Sequence, residues 1–139
     1  MAEGYRTFDH TGDLGLEVWA ETKERLHALA AIAVLAQVAE VPEPTFEIRR
    51  ELSLEGDDPA DLFVHWLNSA LLEAELASAI WCRATVTRLD ERAIEAVLEG
   101  PRRDPLRQVF LREIKAVSHH HLALALTPPD CRCRVILDL

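Results

Sequence analysis

The spacing of apolar side chains over the first 40 residues changes from strand-like to helix-like. Residues 5–10 predict a short strand, and residues 11–13 predict a tight turn. Apolar and polar positions then alternate over residues 14–20, which is typical of a strand with one buried face. Beyond this strand, apolar side chains recur every three or four positions to about Glu40, and this spacing predicts a helix capped by Thr22.

The remainder of the chain predicts one more helix and five more strands. Asp58 followed by Pro59 is a strong helix start, because the acid can cap the helix and proline suits its first position. Apolar residues at helical spacing follow this start. The further strands are predicted at residues 45–54, 80–89, 92–99, 109–126 and 132–139.

The predicted order β-β-α-β-α-β-β-β-β indicates an α+β fold. We expect a single two-layer domain over residues 1–139, with a mostly antiparallel or mixed sheet and helices packed on one face. The length of 139 residues suits one domain, and 49% apolar with 28% charged residues exclude a disordered chain. No apolar stretch reaches membrane-spanning length and no secretory pattern opens the sequence, so we expect a cytoplasmic protein.

The charge is strongly acidic and unevenly distributed. The net charge is -9, and residues 1–70 contain 14 acids against 5 bases. Such a chain binds nucleic acid poorly by itself, since that affinity comes mostly from neutralising phosphates. The acidic half suits a basic protein partner or a cation, or it simply keeps the surface soluble. The densest basic stretch is Arg102, Arg103, Arg107, Arg112 and Lys115.

Two carboxylates near the chain ends are candidate metal ligands. Asp13 follows the sharp turn that Gly12 permits, and Asp138 follows a buried strand and precedes Leu139. Carboxyl and carbonyl oxygens suit calcium, magnesium or manganese. The alternatives are a turn-capping aspartate and a solvated chain end. The sequence spacing does not show whether Asp13 and Asp138 meet.

The histidine triplet at residues 119–121 and the lysine before it give weaker signals. On a regular strand, His119 and His121 would share one face and His120 would point to the other. Two imidazoles are too few for a zinc site, so ordinary strand histidines are the alternative. Lys115 lies in an apolar stretch, where it could pair with an acid or a phosphate, or extend to solvent from an edge. Nucleotide-binding, hydrolase and zinc-protease motifs do not occur.

Four segments, taken together, resemble the archease family. They are FDHTGDLGL at residues 8–16, DLFVHWLN at 61–68, IKAVSHH at 114–120 and VILDL at 135–139. Family members share an H-T-A-D-x-G opening, a D-L-L-x-x-W-L-N helix, a K-A-V-T-Y-H strand and a terminal V-x-x-D-hydrophobic end. The departures are Gly12 for alanine, Ser118 for threonine and His119 for tyrosine. Of the three histidines, only His120 falls on the family histidine.

The resemblance implies a function that the residues alone do not reveal. Archeases are not stand-alone enzymes. They activate the RtcB-type RNA-splicing ligase of tRNA splicing and RNA repair, which joins 2′,3′-cyclic phosphate or 3′-phosphate ends to 5′-hydroxyl ends. They promote guanylylation and multiple turnover of this ligase. GTP and RNA would therefore be bound by the ligase, and the resemblance implies no membrane partner.

The resemblance also implies the residues of the site. The family metal site maps onto Asp13, Asp138 and the carboxylate of Leu139, with calcium as the ion and manganese or magnesium as substitutes. His10, Lys115 and His120 are further candidates for function. The alternatives are a chaperone-like modulator of a tRNA methyltransferase and a metal-dependent RNA-modifying enzyme that uses Asp13 and Asp138.

Overall fold

Nine strands and two helices make up the regular structure of residues 2–139, the part of the chain that the computed structural model describes. Both helices begin where the sequence predicts, and the first ends at Val38, close to the predicted Glu40. In chain order the elements are β1 (Gly4–His10), β2 (Asp13–Ala20), α1 (Lys23–Val38), β3 (Ala39–Glu40), β4 (Ile48–Glu55), α2 (Pro59–Ala77), β5 (Arg83–Leu89), β6 (Ala93–Gly100), β7 (Val109–Phe110), β8 (Ala116–Ala125) and β9 (Cys131–Asp138).

Each strand pairing in residues 2–139 is antiparallel, and the strands form three sheets. The largest sheet has the order β1-β2-β9-β8, and a second sheet has the order β4-β6-β5. The short strands β3 and β7 pair with each other. The α+β prediction is confirmed, and of the two sheet types considered the antiparallel one is correct. The strands do not join into one sheet, because β4, β5 and β6 pair only among themselves.

Side-chain caps start both helices at the residues that the sequence indicates. The Thr22 hydroxyl accepts a hydrogen bond from the Arg25 amide at 3.1 Å. The Asp58 carboxylate accepts one from the Asp61 amide at 2.8 Å, and Pro59 occupies the first helical position. These bonds satisfy amides that have no partner within the helix, so each helix start is fixed locally.

The stretch at residues 109–126, predicted as one strand, is divided in the structure. Its first two residues pair with β3, residues 116–125 form β8, and residues 111–115 have no regular structure. The division follows from a change of partner: Phe110 lies opposite Ala39, whereas Ala116 lies opposite Asp138 in the large sheet. Five residues carry the chain from one sheet to the other.

One apolar core joins both helices to the sheets. Trp66 and Trp81 are fully buried, and each indole N–H donates to a main-chain carbonyl, Trp66 to His27 at 2.8 Å and Trp81 to Ala70 at 2.9 Å. His27 of α1 is also buried, with its ring edge against Phe63. The core therefore contains one imidazole among apolar neighbours.

Burial of His27 should make the protein less stable in mild acid. Loss of solvent lowers the pKa of His27 to about 4. Below pH 6.5 His27 binds a proton in the unfolded chain but stays neutral in the folded chain. The free energy of unfolding therefore falls as the pH falls from about 6.5 to 4. We expect a loss of about 2 kcal/mol from this group between pH 7 and pH 5.

Urea denaturation at pH 7 and pH 5 measures this effect. In His27→Gln the difference between the two pH values should shrink by about 2 kcal/mol. The matched control is His65→Gln, since His65 lies exposed on α2 and its ring nitrogen contacts the Glu55 carbonyl at the surface. An unchanged pH dependence in His27→Gln would contradict the account.

Candidate metal centre

The pairing of β2 with β9 brings Asp13 and Asp138 to the same end of the large sheet. Leu14 lies opposite Leu137 in this antiparallel pair. Continuing the register by one residue places Asp13 opposite Asp138. Residues directly opposite in an antiparallel pair have Cβ atoms about 4.5–5.5 Å apart, with side chains on one face. Asp13 and Asp138, 125 positions apart in the sequence, thus lie at the same sheet end, each one residue beyond the last pair of β2 and β9, and both are half-exposed.

The turn between β1 and β2 presents Asp13 and places His10 beside it. Gly12 has a φ of 77°, a conformation that favours glycine, and His10 lies opposite Asp13 across the turn. His10 Nδ1 is 3.9 Å from Asp13 Oδ2, which is too long for a hydrogen bond. Within residues 2–139 this nitrogen is buried and has no hydrogen-bond partner. His10 Nδ1 therefore lies near Asp13 without making a hydrogen bond.

Lys115 and Asn68 hold the neighbouring strand against Asp138. The main-chain N–H of Lys115 donates to the Asp138 carbonyl at 2.8 Å. The side-chain amide of Asn68 donates to the Val117 carbonyl at 3.0 Å and accepts from the Val117 amide at 2.8 Å. Asn68 thus imitates a paired strand at the start of β8. Asn68 lies in one of the family-like segments, but the sequence does not reveal this role, because its partner is 49 positions away.

The histidine triplet does not follow the predicted strand alternation. All three side chains are exposed, the β8–β9 register shifts between Ser118 and Ala123, and His121 has a φ of 59°. The prediction that His120 faces opposite to His119 and His121 assumed regular strand geometry, and this segment lacks it. His121 contacts His10, with ring centroids 5.7 Å apart. The ring centroids of His120 and His121 are 6.2 Å apart.

The residues at this sheet end fit a hard cation better than a zinc ion. No group of three or more histidine, cysteine or carboxylate side chains converges as a metal site within residues 2–139. The candidate donors at this sheet end are instead the oxygens of Asp13 and Asp138, with Leu139 next in the chain and 42% exposed. Oxygen-only ligands completed by water are typical of calcium and magnesium. Whether Leu139 and the family histidine His120 take part stays a prediction.

The fold and the carboxylate pair define a small α+β protein with a candidate cation site at one sheet end. A family model, the Archease protein family (MTH1598/TM1083), matches residues 5–139. The chain belongs to the archease family.

Related proteins match along nearly the whole chain. The protein archease of Methanosarcina mazei is 27% identical over 139 residues, which cover 97% of this chain and 95% of that protein. The protein archease of Methanopyrus kandleri is 28% identical over 121 residues, covering 85% of this chain and 86% of that protein. The residues that the family model matches include both Asp13 and Asp138.

Two solved structures share the fold. The solution structure of Methanobacterium thermoautotrophicum protein 1598 has a TM-score of 0.78 and 20% identity, covering 98% of this chain and 99% of that one. The crystal structure of an archease from Thermotoga maritima, described as a possible chaperone, has a TM-score of 0.63 and 18% identity, covering 96% of each chain. No helix within residues 2–139 is both long and apolar enough to cross a membrane.

Removing the Asn68 amide should loosen β8 next to Asp138. Asn68→Ala leaves the half-buried amide and carbonyl of Val117 without partners, so we expect a loss of about 2 kcal/mol in the free energy of unfolding. Hydrogen exchange at the Val117 amide should become faster. The matched control is Ser69→Ala, the next residue on α2, which should leave both values unchanged. Unaltered exchange at Val117 in Asn68→Ala would contradict the anchoring role.

Proposed function

We propose that this protein activates an RNA-splicing ligase, promoting attachment of guanylate to the ligase and its multiple turnover. A divalent cation bound at Asp13 and Asp138 would take part. The observation that supports the proposal is the position of Asp13 and Asp138 at the same end of the β2–β9 pair, in a chain that belongs to the archease family. Each carboxylate lies in one of the segments that mark the family resemblance.

The chain's own residues would hold the cation and keep its ligands in place. Asp13 and Asp138 supply charged oxygens, and the carboxylate of Leu139 is the third proposed donor. The hydrogen bond from Lys115 to the Asp138 carbonyl fixes the main chain next to this site. Asn68 fixes β8 beside it. When bound, a divalent cation supplies positive charge of the kind that stabilises phosphate oxygens.

The distribution of charge suits action through a protein partner. The net charge of -9 disfavours direct binding of RNA, whereas an enzyme that binds RNA must carry positive charge. An acidic accessory protein is attracted to such an enzyme over the range of a Debye length. GTP and RNA would therefore be bound by the ligase, and this protein would contribute carboxylates and a cation.

Neutralising either aspartate should abolish stimulation while leaving the protein folded. Asp13→Asn and Asp138→Asn remove one charge each from half-exposed positions, so stability in metal-free buffer should change by about 1 kcal/mol or less. The assay follows transfer of labelled guanylate from GTP to the purified ligase, with and without each variant. Glu91→Gln is the matched control, because Glu91 is an exposed acid in the turn between β5 and β6. It should stimulate like the unaltered protein.

A thermal melt tests cation binding separately from activity. Calcium should raise the melting temperature of the unaltered protein and of Glu91→Gln, since a ligand that binds only the folded state stabilises it. The increase should vanish in Asp13→Asn and Asp138→Asn. Full stimulation by Asp13→Asn would remove the carboxylate site from the mechanism. RNA joining by this protein without the ligase would favour the alternative, a metal-dependent RNA-modifying enzyme.

A chaperone-like role is the second candidate. It is favoured by several exposed apolar side chains and by the description of the Thermotoga maritima relative as a possible chaperone. Exposed apolar groups can hold a partially folded partner. This role predicts that the protein keeps a tRNA methyltransferase soluble during refolding, with no effect on guanylate transfer to the ligase.

A further inference from the structure

An open groove lies between the second half of α2 and residues 110–115, which are the end of β7 and the irregular segment after it. Its volume is about 720 Å³. Leu71 and Leu72 of α2 form one wall, and Phe110 and Leu111 lie on the other. We refer to it as the α2 groove. The groove is separate from the carboxylate pair but close to it, because Lys115 lines the groove and bonds to the Asp138 carbonyl.

The α2 groove exposes large apolar side chains that the core does not need. α2 buries Trp66 and Leu67 on its inner side, whereas Leu72 is 56% exposed. Phe110 is 42% exposed, and Leu111 is 40% exposed. Isolated exposed leucines are ordinary on protein surfaces, but a cleft that gathers several of them marks an interaction surface. Burying these side chains against a partner would be favourable.

The cations around the α2 groove are not neutralised by ion pairs. Arg103 donates to the Ala79 carbonyl at 3.0 Å, and Arg112 donates to the Gln37 carbonyl at 2.7 Å. Both partners are uncharged main-chain groups. Lys115 forms no ion pair within residues 2–139. Two acids, Glu75 and Glu113, also line the groove, so the three cations leave it with net positive charge on a chain whose net charge is -9.

The main chain along the wall at residues 111–115 of the α2 groove also has amides that are free to donate hydrogen bonds. The amides at the two ends of this wall are paired, Leu111 with the Val38 carbonyl and Lys115 with the Asp138 carbonyl. Between them, the amides of residues 112–114 pair with no main-chain carbonyl of the described chain. An extended segment that lies along an unpaired main chain can form strand-like hydrogen bonds with it.

We infer that the α2 groove binds an extended, acidic segment of a protein partner, with apolar side chains against Leu72 and Phe110 and carboxylates near Arg103, Arg112 and Lys115. Charge complementarity selects this occupant. RNA, which is also negatively charged, would meet Glu75, Glu113 and a leucine wall. The inference deepens the proposed function: bound there, a segment of the ligase would lie next to Asp138.

Two labelled peptides test the groove without relying on the ligase. The first has eight residues in which leucine and glutamate alternate, and the second has lysine in place of glutamate. Fluorescence anisotropy should show the acidic peptide binding at least tenfold more tightly than the basic one. Leu72→Glu should weaken binding of the acidic peptide at least tenfold, and Glu75→Gln should strengthen it. Equal binding of the two peptides would overturn the inference.

The matched control is Leu106→Glu, because Leu106 is exposed but lies outside the α2 groove. It should bind the acidic peptide like the unaltered protein, and all variants should retain the calcium-dependent rise in melting temperature. A weakening in Leu106→Glu equal to that in Leu72→Glu would contradict a specific groove. A labelled single-stranded RNA that binds the unaltered protein and is lost in Leu72→Glu would assign the groove to RNA instead.

The same variants, tested with the ligase, separate this inference from the proposed function. We expect Leu72→Glu to weaken ligase binding at least tenfold and Leu106→Glu to leave it unchanged. If the acidic peptide binds but the ligase does not, the ligase as partner is wrong and the groove chemistry stands. If the ligase binds Leu72→Glu normally and Asp13→Asn still fails to stimulate, the groove's role with the ligase is wrong and the carboxylate site stands.

Discussion

The antiparallel pairing of β9 with β2 on one side and β8 on the other is the constraint on which the candidate site depends. Apolar residues near its end, such as Val135 and Leu137, are fully buried, so the strand cannot slip without exposing core. A slip of one residue would turn every side chain of β9 to the opposite face. The burial of β9 therefore fixes the position of Asp138, and through it the relation of Asp138 to Asp13.

The second helix, α2, supports the pairing of β8 with β9 by fixing where β8 begins. In the segment DLFVHWLN, Asp61 accepts from the Asp57 amide at the helix start, Trp66 fills the core, and Asn68 pairs with Val117. None of these three residues is a proposed ligand of the cation. The motif residues of α2 thus act on the site indirectly, by fixing where β8 begins. The outer face of the same helix is left to form the α2 groove.

Local features could be predicted from the sequence, whereas features set by distant partners could not. Thr22 and Asp58 cap helices through bonds to amides three residues away, so neighbouring residues suffice to reveal them. The break at residues 111–115 depends on strands that lie elsewhere in the chain, and an apolar stretch does not record a change of partner. For the same reason, the irregular backbone geometry at His121 could not be predicted from the sequence. The prediction that Asp13 and Asp138 share a site rests on family resemblance, not on their spacing in the sequence.

The central claim is that the two ends of the chain form one cation site, and paramagnetic broadening by manganese tests it most directly. In the ¹⁵N-labelled protein, substoichiometric Mn²⁺ broadens amide resonances near the bound ion. We expect the amides of Asp13, Leu14, Asp138 and Leu139 to broaden together at the lowest Mn²⁺ concentration, and excess Ca²⁺ to restore them. Broadening at only one end of the chain, or first at residues away from this end of the sheet, would contradict the claim.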